Sequence, residues 1–369
     1  MVSAVTSLAT GVAAGFVMHR SDFCLAGMLR DLFLFRRTFM LRMFALMLLV
    51  TMLLVEIGRL TGLVRMFPFP GFGMPGAATV IGGMLFGVGM VLAGGCVVGT
   101  LYRMGAGSVL SAVAFAGLIV GSVFYAEFHP VWKNFADATL FFRGPVTLSQ
   151  LTGVSHSLLV LCCAAVLLTV LIMWGRRGEL VRRSTAERYL QPWKASLVLA
   201  CLTFWSVSVI GVPMGITTTY SKIGAWLESL IAPGHTAGLG YLKAIAFDYQ
   251  NTLLGISYRG GPGPALDGVS LMQYPLVAGI IAGGMASAIL IREFRPHWNV
   301  PASQYVSALA GGILMGLAAR MAPACNVWHL MGGLPIMALQ SMAFVAGVVP
   351  GAWLGGRLLT HILSFNQSR

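Results

Sequence analysis

The sequence predicts an all-α polytopic membrane protein with about nine transmembrane helices, re-entrant loops and inverted structural repeats. Hydrophobic residues make up 57% of the chain and charged residues only 9%, whereas soluble domains carry about 25% charged residues. The apolar residues form long runs, unlike the short alternating strands of an outer-membrane barrel. Glycines also recur at a fixed spacing before three of the six cysteines.

Each predicted helix is an apolar segment close to the roughly 20 residues that cross a bilayer. The first segment lacks the basic leader and the cleavage site of a secretory signal, so we interpret it as a span. The predicted spans lie at residues 1–18, 39–57, 76–94, 108–127, 155–174, 195–212, 271–291, 303–322 and 336–360.

The stretch from Gly82 to Ser108 shows how these helices break. It begins as a membrane helix and is interrupted at Gly94 and Gly95, directly before Cys96. Every backbone N–H and C=O group in hydrocarbon needs a partner, so irregular backbone is tolerated there only inside protein or beside a polar cavity. The sequence therefore predicts a loop that dips into the bilayer, carries Cys96 near its tip and ends near Arg103.

The same arrangement occurs three times as the pattern G-x3-G-x8-C. Small residues at this spacing favour close helix packing, and a repeated motif indicates internal duplication. The three copies are Gly11, Gly15 and Cys24; Gly83, Gly87 and Cys96; and Gly312, Gly316 and Cys325. We therefore predict that these three cysteines line one path, whereas Cys162, Cys163 and Cys201 lie in ordinary helices.

A fourth, degenerate copy is predicted at Gly211 and Gly215, which place Gly224 in the cysteine position. Thr218 and Thr219 then fall in the loop and are candidate substrate contacts. The surrounding segment, 213–270, is interpreted as a re-entrant loop, a short helix at 221–231 and an excursion rich in glycine and proline. A span through 241–257 is an alternative, which the charges within it disfavour.

Basic residues predict the topology. The net charge of +13 resides in loops, which indicates the positive-inside rule rather than a nucleic-acid surface. The richest loop, 175–194, is predicted to be cytoplasmic, so the N-terminus is periplasmic and the C-terminus cytoplasmic. This loop joins a first repeat half, 1–174, to a second half, 195–369, which runs in the opposite direction. Such inverted repeats place a substrate site where their broken helices meet.

Other residues near the cysteines have two interpretations. Arg103 either attracts an anion or braces its loop, and both roles are common for arginine at a membrane interface. Asn326 and His329 follow Cys325 directly; His329 is a possible substrate donor, although a lone histidine beside glycines is more often structural. We find neither zinc-ligand spacing nor a nucleotide-binding G-x4-G-K-[ST] loop, and we predict no cofactor. The scattered methionines are typical of core filler rather than of copper transport.

Four segments resemble the YeeE/YedE family of bacterial inner-membrane proteins. They are HRSDFCLAGMLRD, VLAGGCVVGTLYRMGAGS, IREFR at 291–295, and GGILMGLAARMAPACNVWHLMGGLP. The resemblance implies an hourglass of helices, thiosulfate uptake through three pathway cysteines that match Cys24, Cys96 and Cys325, and a small cytoplasmic sulfur-transferase (TusA-like) partner. The third loop departs from the family pattern, because APAC stands where YeeE-type loops have AGGC. The departure resembles the YedE branch and leaves a selenium compound or another sulfur species as alternative cargo.

The residues suit a path built on S–H hydrogen bonds. Thiosulfate has a soft terminal sulfur and a hard sulfonate end, and a protonated thiol is a weak, polarizable donor. Several weak sites in series permit release as well as binding. A rival of a different class is a membrane thiol or persulfide oxidoreductase, which needs cysteines within bridging distance. The sequence contains no C-x-x-C motif, so we favour a transporter over an enzyme.

Overall fold

The computed structural model describes residues 2–182, 189–251 and 253–367. Within these ranges nine helical segments are long and apolar enough to cross a membrane. They are Val2–Phe35, Phe39–Leu60, Ala77–Gly105, Val109–Ala138, His156–Arg176, Pro192–Ile210, Gly268–Leu290, Ala302–Met321 and Leu339–His361. The prediction of an all-α polytopic membrane protein is confirmed. Residues 183–188 of the predicted linker lie outside the described residues.

The first five spans contain seven helices, because the first and third spans are each built from two, and an eighth helix lies outside them. These helices are α1 Val2–Ser21, α2 Leu25–Phe35, α3 Phe39–Leu60, α4 Ala77–Leu92, α5 Val97–Gly105, α6 Val109–Ala138, α7 Leu148–Thr152 and α8 His156–Arg176. The short α7 lies between the fourth and fifth spans. Both breaks inside spans directly precede a helix that begins after a cysteine.

The remaining chain contains seven helices, a π-helical segment and one hairpin. They are α9 Pro192–Ile210, α10 Thr217–Ile231, α11 Pro233–Gly238, α12 Gly240–Lys243, β1 Phe247–Asn251, β2 Ile256–Gly260, α13 Gly268–Leu290, α14 Ala302–Met321, the π-helical segment Trp328–Gly333 and α15 Leu339–Gln367. Strands β1 and β2 pair antiparallel.

The three predicted glycine pairs pack backbone to backbone against a neighbouring helix. The pair on α1 faces α13, the pair on α4 faces α15, and the pair on α14 faces α6. In each case a Cβ on the glycine would meet a main-chain carbonyl of the partner. The pairs and the facing carbonyl residues are Gly11 and Gly15 with Leu276 and Ile280, Gly83 and Gly87 with Phe344 and Val348, and Gly312 and Gly316 with Ala114 and Leu118.

Each partner helix returns the contact with its own G-x3-G pair. These pairs are Gly279 and Gly283 on α13, Gly347 and Gly351 on α15, and Gly117 and Gly121 on α6. Along both helices of each pair, the next contact lies four residues further toward the C-terminus, so the paired helices run parallel. Close backbone approach through small residues is the main way in which helices associate inside a membrane. The sequence pattern therefore predicts helix packing as well as the positions of cysteines.

The packing has an internal two-fold character. Helices α4 and α14 run antiparallel, because Gly82 lies beside Ala322 whereas Gly89 lies beside Gly311. Helix contacts occur in matching pairs. The contact α1–α13 matches α9–α3, α2–α3 matches α10–α13, α2–α15 matches α10–α6, α4–α15 matches α14–α6, and α5–α6 matches the contact of the π-helical segment with α15. This matching of contacts relates α1–α6 to α9–α15 and leaves α8 without a counterpart. This pattern supports inverted repeats, while the exact domain limits remain a prediction.

The structure agrees with one interpretation of 213–270 and corrects another. The alternative span through 241–257, which its charges disfavour, is not formed by the described residues, because most of them belong to α12, β1 and the turn before β2. The threonines are not in a loop, since α10 begins at Thr217, four residues earlier than predicted. Main-chain and side-chain hydrogen bonds from Thr219 to Gln273 of α13 hold this first turn in place.

The fourth copy of the repeat is also misplaced. Gly211 ends α9 with a φ of 93°, so the glycine spacing does not continue along a helix. Gly224 lies in the middle of α10, against Val123 and Ile119 of α6. Ile216, the residue before α10, takes the position that Cys24 has before α2. The fourth position is therefore apolar.

A buried lysine anchors the loop between β2 and α13. Lys222 of α10 is only 1% exposed, and its ammonium group donates to the carbonyls of Gly263 and Ala265 and to Asp267 at 2.7 Å. Burial alone would raise the pKa of Asp267, but the Lys222 hydrogen bond and the N–H groups of Gly261 and Ser270 outweigh it. The net pKa of Asp267 therefore lies below its ordinary value.

We expect Gly87→Ala to destabilise the fold, because the new methyl group would lie 2.5 Å from the carbonyl oxygen of Val348. The obstacle is main chain and cannot rotate away, so overpacking of about 1–3 kcal/mol is expected. The measurement is the thermal midpoint in detergent. Gly234→Ala is the matched control, because nothing lies within 4 Å of that position. Equal midpoints for the two variants would contradict the close-contact account.

We expect Asp267→Asn to lower the thermal midpoint strongly, because it leaves the buried Lys222 charge without its carboxylate. Breaking a buried ion pair costs about 3–5 kcal/mol. Asp248→Asn is the control, since Asp248 and Arg259 are both exposed, and exposed pairs contribute about 0–1 kcal/mol. An unchanged midpoint in Asp267→Asn would show that the two carbonyls alone satisfy Lys222.

The same pair gives a pH dependence. A carboxyl group whose pKa is lower in the folded state contributes its full stabilisation above its unfolded pKa of about 3.9. That contribution is lost as the pH falls through the lower folded-state value. The wild type should therefore lose stability at acid pH more steeply than Asp267→Asn, measured as thermal midpoints from neutral pH downward.

Candidate functional site

Two cavities open at opposite ends of the same helices. We call the larger, of about 460 Å³, the Arg103 vestibule, and the smaller, of about 210 Å³, the Arg320 vestibule. On α6, Leu110 lines the first and His129 the second. Nineteen residues at 1.5 Å per residue separate these positions by roughly 28 Å, which is close to the hydrocarbon thickness of about 30 Å. The vestibules therefore belong to opposite faces.

The three cysteines predicted to line a path are buried, and each directly precedes a helix. Cys325 lines the Arg320 vestibule. The sulfur of Cys24 accepts the N–H of Gly27 at 3.4 Å, and that of Cys96 accepts the N–H of Gly99 at 3.3 Å. Cys325 likewise directly precedes helical residues, which begin at Asn326. A helix N-terminus carries unpaired N–H groups and partial positive charge, so each thiol lies where an anion is favoured.

The structure brings together cysteines that are far apart in sequence. The sulfur atoms of Cys24 and Cys96 both lie beside Gly99. A side chain at Gly99 would lie within 3.4 Å of both sulfur atoms, so glycine is required for this approach. The buried Tyr220 lies near both Cys96 and Cys325. All three cysteines are at least 96% buried.

Arg103 braces the break before Cys96. Its guanidinium donates to the carbonyl of Gly94 at 2.5 Å and lies 3.7 Å from Asp22. Gly94 has a φ of 72°, a left-handed conformation that glycine adopts without steric cost. Gly95 lies beneath the same guanidinium, which would be 3.5 Å from a Cβ at that position. Arg103 also lines its vestibule, so the bracing role and the anion-facing role coexist.

Asn326 and His329 differ in their surroundings. Both amide atoms of Asn326 are buried, and neither has a hydrogen-bond partner among the described residues. Both ring nitrogens of His329 are engaged, with Nε2 donating to the carbonyl of Ala322 and Nδ1 facing the hydroxyl of Ser341. We therefore keep Asn326 as a candidate for the path and assign His329 a structural role.

The threonines frame an arginine that sequence reasoning missed. Arg320, near the end of α14, donates to the hydroxyls of Thr217 and Thr218, and all three residues line the Arg320 vestibule. Thr219 contacts Gln273 instead. The available signal was a charged residue inside a predicted span, which is a functional hypothesis by default in a membrane protein.

Several buried polar atoms without hydrogen-bond partners lie in or near the two vestibules. Most buried polar groups in proteins are hydrogen-bonded, so exceptions require an explanation. Of the exceptions among the described residues, one group lies in or near the two vestibules. These atoms are Arg320 Nε, Trp328 Nε1, Tyr220 Oη, Asn326 Oδ1 and Nδ2, and Tyr102 Oη. A polar solute passing between the faces would supply the missing partners.

The remaining three cysteines differ in burial from Cys24, Cys96 and Cys325. Cys162, Cys163 and Cys201 are exposed on the surfaces of α8 and α9, and all six cysteines are free thiols. Their surfaces belong to membrane spans, where contact with lipid is expected. They show no contact with either vestibule in the part of the chain that is described.

Nine helices long enough to cross a membrane, with two cavities and buried polar atoms that lack partners in the described structure, are the features of a membrane transporter. The profile of a family described as Sulphur transport matches residues 20–354. The chain belongs to this family, the YeeE/YedE family, and it is a transporter rather than an enzyme.

Relatives cover nearly the whole chain. It is 27% identical over 360 residues to the thiosulfate transporter TsuA of Spirochaeta thermophila, covering 95% of this chain and 98% of the relative. It is 30% identical over 366 residues to the thiosulfate transporter TsuA of Escherichia coli strain K12, covering 96% and 94%. The probable transporter YedE of the same organism is 33% identical over 170 residues, covering 45% and 40%.

We expect Tyr220→Phe to reduce sulfur-anion uptake severalfold without loss of thermal stability. Removing a buried hydroxyl that has no partner does not sacrifice a protein hydrogen bond, whereas a passing anion would lose a donor. Tyr258→Phe is the control, because the Tyr258 hydroxyl is bonded to Ser3. That variant should lose stability and retain uptake. The opposite pairing of effects would remove Tyr220 from the path.

Proposed function

We propose that the chain takes up thiosulfate, or a closely related small sulfur oxyanion, across the bacterial inner membrane. The observation that supports this proposal most directly is the burial of Cys325, Cys96 and Cys24, each at a helix N-terminus, with Cys325 lining the Arg320 vestibule. The near-complete coverage of two relatives named as thiosulfate transporters supports the same cargo. The anion moves from the Arg320 vestibule past Cys325 to Cys96 and Cys24, and then into the Arg103 vestibule.

The thiols act as weak donors in series. At Cys24 and Cys96 the sulfur already accepts a backbone N–H, so its remaining capacity is to donate S–H to the anion. The thiols must stay protonated, because a thiolate would repel a dianion. The N-termini of α2 and α5 contribute partial positive charge that offsets lost hydration. Each contact is weak, which favours release to the next position.

The basic residues support an orientation with the Arg103 vestibule in the cytoplasm. Arg20, Arg103 and Arg295 line it, and the 175–194 loop reaches the same face through the bond from Tyr189 to the carbonyl of Ser21. By the positive-inside rule this face is cytoplasmic, with the N-terminus periplasmic and the C-terminus cytoplasmic. A small TusA-like sulfur-transferase would receive the anion there, as the family implies.

The test is uptake of ³⁵S-labelled thiosulfate by proteoliposomes that contain the purified protein. Saturable uptake above that of protein-free liposomes is expected. Sulfate, selenite and selenosulfate serve as competitors and separate the sulfur and selenium alternatives. No uptake of thiosulfate by protein with a normal thermal transition would overturn the proposed cargo.

We expect Cys96→Ser and Cys96→Ala both to reduce thiosulfate uptake at least about tenfold. Serine keeps a small donor, but a hydroxyl is harder and holds water more tightly, and burying it without a partner costs about 1–3 kcal/mol. Uptake is measured at matched protein content, with thermal midpoints recorded. Cys201→Ala should retain uptake. Full uptake by Cys96→Ser would show that any small hydrogen-bond donor suffices at this position. Full uptake by Cys96→Ala would show that Cys96 serves only in packing.

A further inference from the structure

The Arg320 vestibule contains a cation that the protein leaves partly unsatisfied. The Arg320 guanidinium contacts two threonine hydroxyls, while its Nε is buried without a hydrogen-bond partner. Among the described residues no carboxylate lies within ion-pair distance of it. A charged side chain inside a span is costly unless it is paired or functional. The missing counter-charge therefore belongs to a ligand.

A second orphan donor lines the same cavity. Trp328 is 97% buried, since its relative exposure is 3%, and its indole Nε1 has no partner in the described structure. The rings of Phe72 and Phe247 lie 5.1 Å and 6.0 Å from the indole ring, measured between centroids. These contacts fix the indole plane, so the N–H is held in place before any ligand binds.

The threonines add two further donors. A hydroxyl that accepts a hydrogen bond from arginine keeps its own proton available. Thr217 and Thr218 are 4% and 5% exposed, and both line the cavity in the first turn of α10. The cavity therefore presents only hard hydrogen-bond donors from these residues, namely N–H and O–H groups. They include a guanidinium whose geometry suits tetrahedral oxyanions.

We propose that Arg320, Trp328, Thr217 and Thr218 form a sulfonate-binding subsite beside Cys325. The oxygens of the anion accept hydrogen bonds from the guanidinium, the indole and the threonines, and its terminal sulfur faces the Cys325 thiol. This inference rests on the proposed transport of a sulfur oxyanion, and it assigns recognition of the two ends of the anion to different residues.

The assignment separates two kinds of affinity. Sulfate presents the same oxygens as thiosulfate and lacks the soft terminal sulfur. Arg320 should therefore contribute to binding of both anions, whereas Cys325 should contribute only to binding of thiosulfate. This difference distinguishes a sulfonate subsite from general electrostatic attraction or from a structural role of Arg320.

The experiment measures binding of sodium thiosulfate and sodium sulfate to purified protein in detergent, from ligand-dependent thermal shifts at constant ionic strength. Arg320→Gln should weaken binding of both anions at least about tenfold, since a charged hydrogen bond is lost. Arg320→Lys should restore part of the affinity. Cys325→Ala should weaken the binding of thiosulfate and leave the affinity for sulfate within about twofold of the wild-type value. Arg259→Gln, which removes an exposed charge paired with Asp248, should leave both affinities unchanged.

Unchanged affinities in Arg320→Gln, or a wild type without any sulfate-dependent shift, would overturn the subsite. If Arg320→Gln does not fold, Trp328→Phe replaces it, with a smaller loss for both anions expected and no loss overturning the proposal. Binding through Arg320 without uptake in proteoliposomes would retain the subsite and overturn the proposed transport. Uptake by Arg320→Gln with an unchanged KM would retain the proposed transport and overturn the subsite.

Discussion

Direct backbone contact between parallel helices is the constraint on which the structure depends. Six G-x3-G pairs meet in three helix pairs, and each glycine lies against a main-chain carbonyl of its partner. At this distance Cα–H groups contact carbonyl oxygens, and any side chain would separate the helices. Because the first glycine pair of each repeat precedes its cysteine by a fixed number of residues, the packing also fixes where the helix breaks and where the thiol lies.

Local patterns predicted what depends on local geometry. The G-x3-G-x8-C spacing identified the packing faces and the three cysteines that begin helices, because both are set by position along one helix. It failed at Gly211, where the helix ends and counting toward Gly224 loses its meaning. Ile216 could be identified only from the start of α10. The threonines were assigned to a loop because counting from Gly211 and Gly215 placed them just before Gly224. They form the first turn of α10 instead, where Thr219 hydrogen-bonds to Gln273.

Long-range relations lay beyond the sequence argument. The repeated spacing marks Cys24 and Cys96 as equivalent positions but does not show that their sulfur atoms meet beside Gly99. No pattern places Thr217 and Thr218 around Arg320. These groups meet because different helix pairs converge at the centre of the bundle. The most informative signals there are negative ones: Tyr220, Asn326 and Trp328 are buried with hydrogen-bonding capacity that the described protein does not use. Such groups are costly in a stable core, which is why they indicate a ligand.

Helix α8 explains how one chain contains two halves of opposite direction. It packs on α3 and α7 at the periphery, carries exposed Cys162 and Cys163, and has no counterpart in the second half. Each repeated unit crosses the membrane an even number of times, so the chain returns to its starting side and a second copy appended directly would be parallel. One additional crossing reverses the parity. The least buried span thereby determines the relative orientation of the two units. A helix that contributes little to the core makes them inverted rather than parallel.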